Sequence, residues 1–369
     1  MKKVMILGTG NAQIDAIEYC KARNYKVYGC SYIDTECGVS LCDEFRKINI
    51  TDIESVSAYA REKQVDLIYS VGSDIAMPTV NRVSEELGLP HFISSQTAEI
   101  CNKKHEMRLC LSKLEEGSVN FNILEKLEDL DKMDIQFPKM MKPADSQGQR
   151  GVVKVNSKEE IVKFFNRSME YSRCRKVILE DFLDGSEISI NTYLLNGKVI
   201  FFLVSDRISF SEYPGGIIKE HVLPTHFSDE VVQRCKVLVK NALNILNILN
   251  GPVYFQMKVV NNVPYIIEIT PRLDGCHMWR LIKYYCNVDL LDMSFYHLLN
   301  GAPICGSSNK QKEKYILKFM CQEPGSRFKK VTDENAIFSK CYYKAEEEIK
   351  HINGYMEKCG YIIKSVSEQ

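Results

Sequence analysis

The spacing of apolar residues changes near residue 100, and this change limits the number of folds that the chain can adopt. In the first hundred residues, short apolar runs that predict strands alternate with amphipathic stretches that predict helices. The predicted strands lie at residues 3–7, 26–30, 45–48 and 66–70, and the predicted helices at residues 12–23, 53–63 and 78–87. This alternation is typical of a parallel sheet covered by helices. We therefore expect an α/β region at the start of the chain.

After residue 100 the predicted strands are longer and alternate polar with apolar residues. Three of them, at residues 176–180, 187–195 and 199–205, follow one another, and a Leu-Asn-Gly-Lys turn at residues 195–198 joins the last two. Strands joined by short turns form antiparallel sheet, so this part is predicted to be α+β. Predicted helices lie at residues 97–114, 158–171, 229–246 and 346–353.

Composition excludes several classes of protein. The 369 residues contain 48 Lys and Arg against 48 Asp and Glu, which argues against nucleic acid or an anionic membrane surface as the main partner. The 14 cysteines are scattered without a Cys-x-x-Cys pair, which indicates free thiols in a reducing cytoplasm. The apolar run at residues 4–7 is too short for a signal peptide, and no later stretch approaches the roughly 18 apolar residues of a membrane-spanning helix. We expect a soluble cytoplasmic protein with no nucleic-acid or membrane partner.

A glycine turn follows the first predicted strand. Gly8 and Gly10 permit a tight strand-to-helix connection and a close backbone approach to phosphate, as in dinucleotide-binding proteins. Gln13 stands where a small residue should pack helix against strand, and Asp34 lies at about the distance of an acid that contacts a ribose. Because the motif is partial, three interpretations stay open: an NAD site, a purely architectural turn, or a turn that holds an anionic substrate.

The first strong indication of a functional site is a lysine beside a loop of small and polar residues. The predicted strand at residues 137–143 carries Lys142 near its end, and a loop of small and polar residues, 144–151, leads into a strand at residues 152–155. Such a loop can lay backbone N–H groups over phosphates while the lysine supplies a point charge. No Gly-Lys-Ser/Thr sequence closes the loop, so it is not a P-loop. For this segment alone, a solvated hairpin is an equal alternative.

Carboxylates lie on both sides of a second turn, at Asp184 and Gly185. Glu180 precedes this turn and Glu187 follows it. Carboxylates at strand ends can accept hydrogen bonds from an amine or from a sugar diol. A surface hairpin with solvated acids is the alternative.

The third sign is an acid inside an apolar strand. Glu268 lies in the run Tyr-Ile-Ile-Glu-Ile, where a bare buried carboxylate is too costly, so it must have a partner or hold a cation. Gln256, on the preceding strand, is the nearest oxygen donor by register. The two side chains share a face if a three-residue loop, 261–263, connects the strands, and lie on opposite faces if a two-residue Asn-Asn turn does. Hard oxygen ligands suit Mg²⁺, and Arg272 follows closely enough to grip a phosphoryl or carboxylate oxygen.

Together these segments resemble the ATP-grasp superfamily, specifically the branch of carbamoyl-phosphate synthase domains and carboxylate–amine ligases. The resemblance covers nearly the whole chain and implies an α/β plus α+β fold. It implies a Rossmann-like pre-ATP-grasp domain at residues 1–100, followed by a two-lobed ATP-grasp fold. Its small lobe would occupy residues 101–175, and its large lobe with a C-terminal extension residues 176–369.

The resemblance also implies roles for single residues. Residues 102–108, Asn-Lys-Lys-His-Glu-Met-Arg, are similar to the family's Lys-x-x-Met-Arg/Lys segment, which makes Lys104 the first ATP lysine and Lys103 its neighbouring alternative. By the same resemblance, Lys142 would be the second ATP lysine, and Ser146, Gln147 and Gly148 would lie over the phosphates. Glu180, Phe182 and Leu183 would contact the adenine, and Glu187 the ribose. Gln256, Glu268 and Thr270 would bind the metal, and Arg272 would act together with Lys142 in catalysis.

The activity implied by the resemblance is that of an ATP-dependent carboxylate–amine ligase. A small-molecule carboxylate would attack the γ-phosphate of ATP, and an amine would displace phosphate from the acyl phosphate, with Mg²⁺ or Mn²⁺ as the metal. Thr270 stands where the family usually has asparagine, and its hydroxyl can coordinate Mg²⁺ or hold a water to it. A phosphotransferase acting on a small acceptor and a catalytically weak nucleotide-binding regulator are the alternatives. A homodimer is usual in the family.

Overall fold

The protein is described by a computed structural model, which covers residues 1–146, 150–213, 216–304, 308–351 and 355–366. Within these ranges the strands form three sheets. One sheet is parallel and lies at the start of the chain, and the other two are antiparallel. The predicted succession of an α/β region and an α+β region is confirmed.

The N-terminal sheet has four parallel strands in the order β3-β2-β1-β4. Its strands are β1 (Lys3–Leu7), β2 (Lys26–Ser31), β3 (Glu44–Lys47) and β4 (Leu67–Tyr69), and its helices are α1 (Asn11–Ala22), α2 (Ile53–Lys63) and α3 (Ala76–Leu87). The central strand β1 is apolar over four successive residues, Val4 to Leu7, all fully buried. A continuous apolar strand of this kind requires cover on both faces, which the helices of a parallel sheet provide.

Two helices lead out of this sheet where the sequence predicts one. The predicted helix at residues 97–114 is instead α4 (Ser95–Asn102) and α5 (Lys104–Leu111), so the prediction of a single helix is wrong. Lys103 lies between them with φ −102° and ψ 102°, an extended conformation that ends the first helix. The backbone N–H of Lys104 donates to the carbonyl of Ala144 at 2.7 Å. Because this contact lies outside the helix, the periodicity of the sequence gives no sign of it.

The small lobe is a four-stranded antiparallel sheet in the order β5-β8-β6-β7, with one long helix beside it. Its elements are β5 (Phe121–Leu124), β6 (Lys139–Pro143), β7 (Val153–Val155), α6 (Lys158–Glu170) and β8 (Val177–Asp181). The predicted lobe boundary at residues 175/176 stays a prediction, but the hydrogen bonds of β8 continue the small-lobe sheet to Asp181.

The large lobe is built on an eight-stranded sheet in the order β13-β12-β9-β10-β11-β14-β16-β15. Its strands are β9 (Ser186–Leu195), β10 (Lys198–Ser209), β11 (Ile218–Leu223), β12 (Gly251–Val260), β13 (Val263–Thr270), β14 (Lys314–Gln322), β15 (Ala336–Cys341) and β16 (Glu357–Val366). Its helices are α7 (Asp229–Ile245), α8 (Met278–Cys286) and α9 (Leu290–Asn300). The predicted turn between β9 and β10 is confirmed: Asn196 and Gly197 both have positive φ, as a tight hairpin turn requires.

Two large apolar cores hold these layers together, and a third, small cluster of Phe328, Ile349 and Cys359 lies near the end of the described chain. One is continuous from the N-terminal sheet into the large-lobe sheet, while the small lobe has a separate core around Met141, Phe165 and Leu179. A shared core makes the N-terminal region and the large lobe one packed body. The small lobe is therefore the part of the molecule with the most independent packing.

The charged helix predicted at residues 346–353 is wrong for residues 346–351, the described part of that range. No helix forms there, and Glu346 has a φ of 64°, which a right-handed helix does not tolerate. Across all the described ranges, no helix combines the length and the apolar character needed to cross a membrane.

Candidate active site

Lys104 joins the small lobe to the large lobe. Its ammonium nitrogen donates to the carbonyl of Ser146 at 2.9 Å and lies 3.1 Å from Oε1 of Glu268. Lys103 instead lies between α4 and α5, where its ammonium group approaches Glu99 at 3.5 Å and Glu106 at 3.2 Å. Of the two lysines weighed on sequence grounds, Lys104 is thus the one that meets the acid in β13. Gln147 and Gly148, predicted to cover phosphates, lie outside the described residues.

Lys142 and Arg108 share one buried carboxylate, that of Glu180. Lys142 Nζ lies 2.5 Å from Oε2 of Glu180, and Arg108 Nε donates to Oε1 at 2.7 Å. Burial by itself would raise the pKa of Glu180, but the two neighbouring cations lower it to about 2. The side chain predicted to contact adenine is therefore paired with these two cations.

The metal-ligand pair predicted from the sequence, Gln256 and Glu268, is built by an unexpected route. Val260 pairs with Val263, so a two-residue turn of Asn261 and Asn262 connects β12 to β13, and the three-residue loop considered above is wrong. By itself this turn would place Gln256 and Glu268 on opposite faces. A bulge restores the register.

Ile267 is the extra residue of that bulge. Met257 pairs with Ile266, whereas the preceding residue, Gln256, pairs with Glu268. The bulge shifts the strand by one position, so the amide of Gln256 and the carboxylate of Glu268 stand directly opposite each other on one face. Burial opposes ionisation of Glu268, but the charge of Lys104 and its hydrogen bond lower the pKa of this carboxyl.

Thr270 and Arg272 follow on the same stretch of chain. Within the described part of the molecule, the hydroxyl oxygen of Thr270 is buried and has no hydrogen-bond partner. Arg272 is buried, and its guanidinium lies 2.6 Å from Oδ1 of Asp74, a residue of the N-terminal region. The site therefore receives groups from all three parts of the chain.

These donors fit a hard divalent cation. Gln256 and Glu268 offer an amide and a carboxylate oxygen on one face, and the partnerless hydroxyl of Thr270 lies two residues further along β13. Oxygen ligands of this kind suit Mg²⁺, which is commonly held by one or two protein ligands plus phosphates and water. The described residues contain no cluster of three or more His, Cys, Asp or Glu side chains that would enclose a metal by themselves.

Glu187, predicted at the ribose, lies next to this pair. Its Oε2 accepts from the amide of Gln256 at 3.3 Å and forms an ion pair with Arg207. Arg207 stands opposite His221 in the next strand, and both ring nitrogens of His221 are buried without a partner among the described groups. The polar face thus continues across the sheet from the metal-ligand pair to β11.

Phe182 and Leu183 occupy the segment between the lobes. The ammonium of Lys154 lies 3.7 Å from the centre of the Phe182 ring, and that of Lys258 lies 5.6 Å from it. Lys258 also donates to the carbonyl of Leu183 at 3.0 Å, and burial lowers its pKa. Sequence reasoning missed Lys258, although the period of two along β12 places it on the same face as Gln256.

The N-terminal glycine turn is closed by an internal carboxylate. Oε2 of Glu36 accepts from the backbone N–H of Thr9 at 3.1 Å and from its hydroxyl at 2.7 Å. Gln13, where a dinucleotide motif has a small residue, donates to the carbonyl of Val71. Asp34 turns to the surface, where Lys47 lies 2.9 Å away. These contacts favour an architectural turn over an NAD site.

Comparisons with known proteins agree with this geometry. The sequence profile of the ATP-grasp domain matches residues 135–279, which include Lys142, Glu180, Gln256, Glu268 and Arg272. The chain contains an ATP-grasp domain. The predicted fold class and superfamily are therefore confirmed.

Relatives of the ATP-grasp chain extend the likeness to its full length. It is 22% identical over 295 residues to formate-dependent phosphoribosylglycinamide formyltransferase of Prochlorococcus marinus (strain MIT 9515), which covers 78% of this chain and 74% of that protein. It resembles the crystal structure of an L-amino acid ligase from Bacillus licheniformis with a TM-score of 0.82 and 17% identity, over 100% of this chain and 94% of the other.

A third relative was solved with a nucleotide. The biotin carboxylase domain of 2-oxoglutarate carboxylase from Hydrogenobacter thermophilus, a dimer in complex with MgADP, ADP and bicarbonate, matches with a TM-score of 0.81 and 16% identity. The match covers 99% of this chain and 86% of that one. At such identities, structural likeness establishes the fold of this ATP-grasp chain.

Proposed function

We propose that this ATP-grasp protein is an ATP-dependent carboxylate–amine ligase that releases ADP and phosphate. The contact between Lys104 and Glu268, at 3.1 Å, carries the proposal. It brings Lys104, which also donates to the Ser146 carbonyl beside the small lobe, and the acid of the metal-ligand pair to one point, where a triphosphate would lie between the lobes. ATP-grasp ligases are also the class that the relatives support.

In the proposed reaction, a small-molecule carboxylate attacks the γ-phosphorus of ATP, forming an acyl phosphate and releasing ADP. An amine then attacks the acyl carbon, the amide bond forms, and phosphate leaves with the electron pair of the broken C–O bond and takes up the proton that the amine loses. Lys104 and Lys142 would hold phosphate oxygens, and Arg272 would hold the acyl-phosphate or carboxylate oxygen. Mg²⁺ or Mn²⁺, held by Gln256 and Glu268 with Thr270 beside them, would supply positive charge to the phosphates.

The nucleotide would be held by the residues between the lobes. Phe182 and Leu183 would contact the adenine through the hinge, and Glu187 would accept from the ribose hydroxyls after exchange with Arg207. Ser146, whose carbonyl already accepts from Lys104, would lie beside the phosphates. The predicted roles of Gln147 and Gly148 at the phosphates fall outside the described residues. The carboxylate and amine substrates, a homodimer and a cytoplasmic location stay predictions.

Trapping of the acyl intermediate tests the proposal. We would incubate the protein with ATP, Mg²⁺, a panel of small carboxylic acids and hydroxylamine, and measure ADP and hydroxamate together. We expect one class of acid to give both products, and Lys142→Met to abolish them while the exposed variant Lys198→Met does not. Release of ADP with a stable phosphorylated acceptor would identify a phosphotransferase. Tight ADP binding without turnover of any acid would identify a nucleotide-binding regulator.

A further inference from the structure

Arg108 is almost fully buried, at 1% exposure, and lies one helical turn after Lys104. Its guanidinium makes three directed contacts. Nε donates to Oε1 of Glu180 at 2.7 Å, one terminal nitrogen donates to the carbonyl of Ile266 at 2.7 Å, and the other donates to the carbonyl of Ile267 at 2.8 Å. None of the roles assigned above to the nucleotide or the metal uses this residue.

The two carbonyls belong to the bulge that creates the metal-ligand pair. A bulge leaves one residue without a ladder partner, and here that residue is Ile267. β13 is also the edge strand of its sheet, so its outward backbone groups need partners from elsewhere. Arg108 provides them for Ile266 and Ile267, and the carbonyl of Gly117 accepts from the N–H of Ile266 at 2.9 Å.

We infer that Arg108 is a positioning residue that holds Glu268 opposite Gln256 and links this pair to the Lys142–Glu180 pair of the small lobe. The inference rests on the proposed function, because it assigns Arg108 a part in metal and nucleotide binding. Without the two donated hydrogen bonds, the strand can lose the bulge, and a shift of one residue turns Glu268 to the opposite face.

Arginine is the side chain that these three contacts require. Its planar fork presents five N–H donors in fixed directions, which suits one carboxylate and two successive carbonyls at the same time. A lysine would keep the charge beside Glu180 but cannot reach both carbonyls in the same geometry. A methionine would fill the space and leave both carbonyls without a donor.

The test is the dependence of ADP binding on Mg²⁺, measured by isothermal titration calorimetry for wild type, Arg108→Met and Arg108→Lys. Arg234→Met, which removes an arginine from a surface ion pair on α7, is the matched control. We expect Mg²⁺ to tighten ADP binding to the wild type and the control. In Arg108→Met this tightening should fall about 10- to 100-fold, the usual effect of removing a group that orients a metal ligand. Arg108→Lys should lie between the two.

A second measurement separates positioning from general stabilisation. Hydrogen exchange on the metal-free protein should speed up at residues 266–269 in Arg108→Met, while the distant strand β1 keeps its protection. Loss of protection throughout the chain would contradict the inference, since it would indicate a purely structural role. If Arg108→Met does not fold, Arg108→Lys takes its place in both measurements.

The outcomes distinguish this inference from the proposed function. If the wild type binds ADP tightly with Mg²⁺ and folded Arg108→Met shows the same Mg²⁺ dependence, the positioning role is overturned and the ligase proposal stands. If the wild type binds no ADP under any condition, the proposed function itself fails, and the positioning role fails with it.

Discussion

At the scale of single residues, each cation expected to hold a phosphate or acyl oxygen is paired with an acid. Lys104 faces Glu268, Lys142 faces Glu180, and Arg272 faces Asp74. Buried charges need such partners in the absence of a ligand. In the proposed reaction, nucleotide binding would exchange at least some of these carboxylates for phosphates, and a metal would take the carboxylate of Glu268.

Glu268→Gln should consequently have opposite effects with and without metal. The substitution removes the carboxylate that pairs with Lys104, so in the absence of metal this lysine is free to bind a phosphate. We therefore expect the variant to bind ADP about tenfold more tightly than the wild type, which corresponds to one charge-assisted hydrogen bond of about 1.5 kcal/mol. With Mg²⁺ present, the variant should show little further tightening. Calorimetry with and without a chelator measures both effects. Glu86→Gln, in a surface pair with Arg82, is the control, and weaker metal-free binding in Glu268→Gln would contradict the exchange.

His221 should make the stability of the protein depend on pH. Burial lowers the pKa of this imidazole well below its ordinary 6.5, and the charges of Arg207 and Lys358 lower it further. The folded state therefore binds fewer protons than the unfolded chain. The stability contributed by neutral His221 is complete above about pH 6.5 and decreases as the pH falls towards the lowered folded-state pKa.

Urea unfolding of His221→Gln at pH 7, 6 and 5 checks this expectation. The wild type should lose up to about 1.4 kcal/mol of unfolding free energy per pH unit from this group at the lower end of the range. The variant should lose less over the same interval. His91→Gln, at an exposed position, should keep the slope of the wild type. Equal slopes in all three proteins would show that His221 does not titrate differently on folding.

At the scale of elements, the hairpin of β12 and β13 decides whether the site exists. Two left-handed residues, Asn261 with φ 49° and Asn262 with φ 63°, make a turn that suits the twist of a two-stranded hairpin. The turn fixes one register, and the bulge at Ile267 then shifts it by one residue. Alternation of polar and apolar residues predicts the two strands, but it cannot report a single inserted residue.

The stability of the protein should depend on which residue occupies position 262 of this turn. Asn262→Ala places a Cβ in a left-handed conformation without the local hydrogen bonding of asparagine, and we expect a loss of about 1 kcal/mol in the free energy of unfolding. Asn262→Gly should lose much less, because glycine adopts positive φ freely. Urea unfolding measures both variants. Asn166→Ala, on the exposed side of α6, controls for the loss of an amide, and an equal loss in the glycine variant would contradict the argument.

At the scale of the whole molecule, one buried carboxylate connects the N-terminal region to the large lobe. Oδ1 of Asp15 in α1 accepts from Arg280 and from Lys340, each at 2.9 Å. Its Oδ2 lies 3.1 Å from Nδ1 of His277 and accepts from the indole of Trp279 at 3.2 Å. Burial opposes its ionisation, but His277, Arg280 and Lys340 hold the pKa of Asp15 far below its ordinary value.

Asp15→Asn should therefore destabilise the protein strongly. The neutral amide leaves Arg280 and Lys340 without a compensating charge, and breaking a buried pair in this way typically removes about 3–5 kcal/mol of unfolding free energy. Chemical denaturation measures the loss. Asp34→Asn removes a surface carboxylate beside Lys47 and should change the stability little. A small effect of Asp15→Asn would mean that the shared apolar core and the other contacts between the two regions, such as the pair of Asp74 and Arg272, hold them together without this carboxylate.

The sequence by itself determined the fold class, the order of its parts, and the residue types at the candidate site. These depend on local properties: the period of apolar residues, turn residues, and short motifs such as the segment that ends in Lys142. Only the tertiary structure decided that Lys104 rather than Lys103 meets Glu268, and that a bulge sets Gln256 opposite it. Arg108 and its partner Ile266 are 158 residues apart, and Asp15 and Lys340 are 325 apart. Contacts of that span depend on how whole elements pack, and no local pattern encodes them.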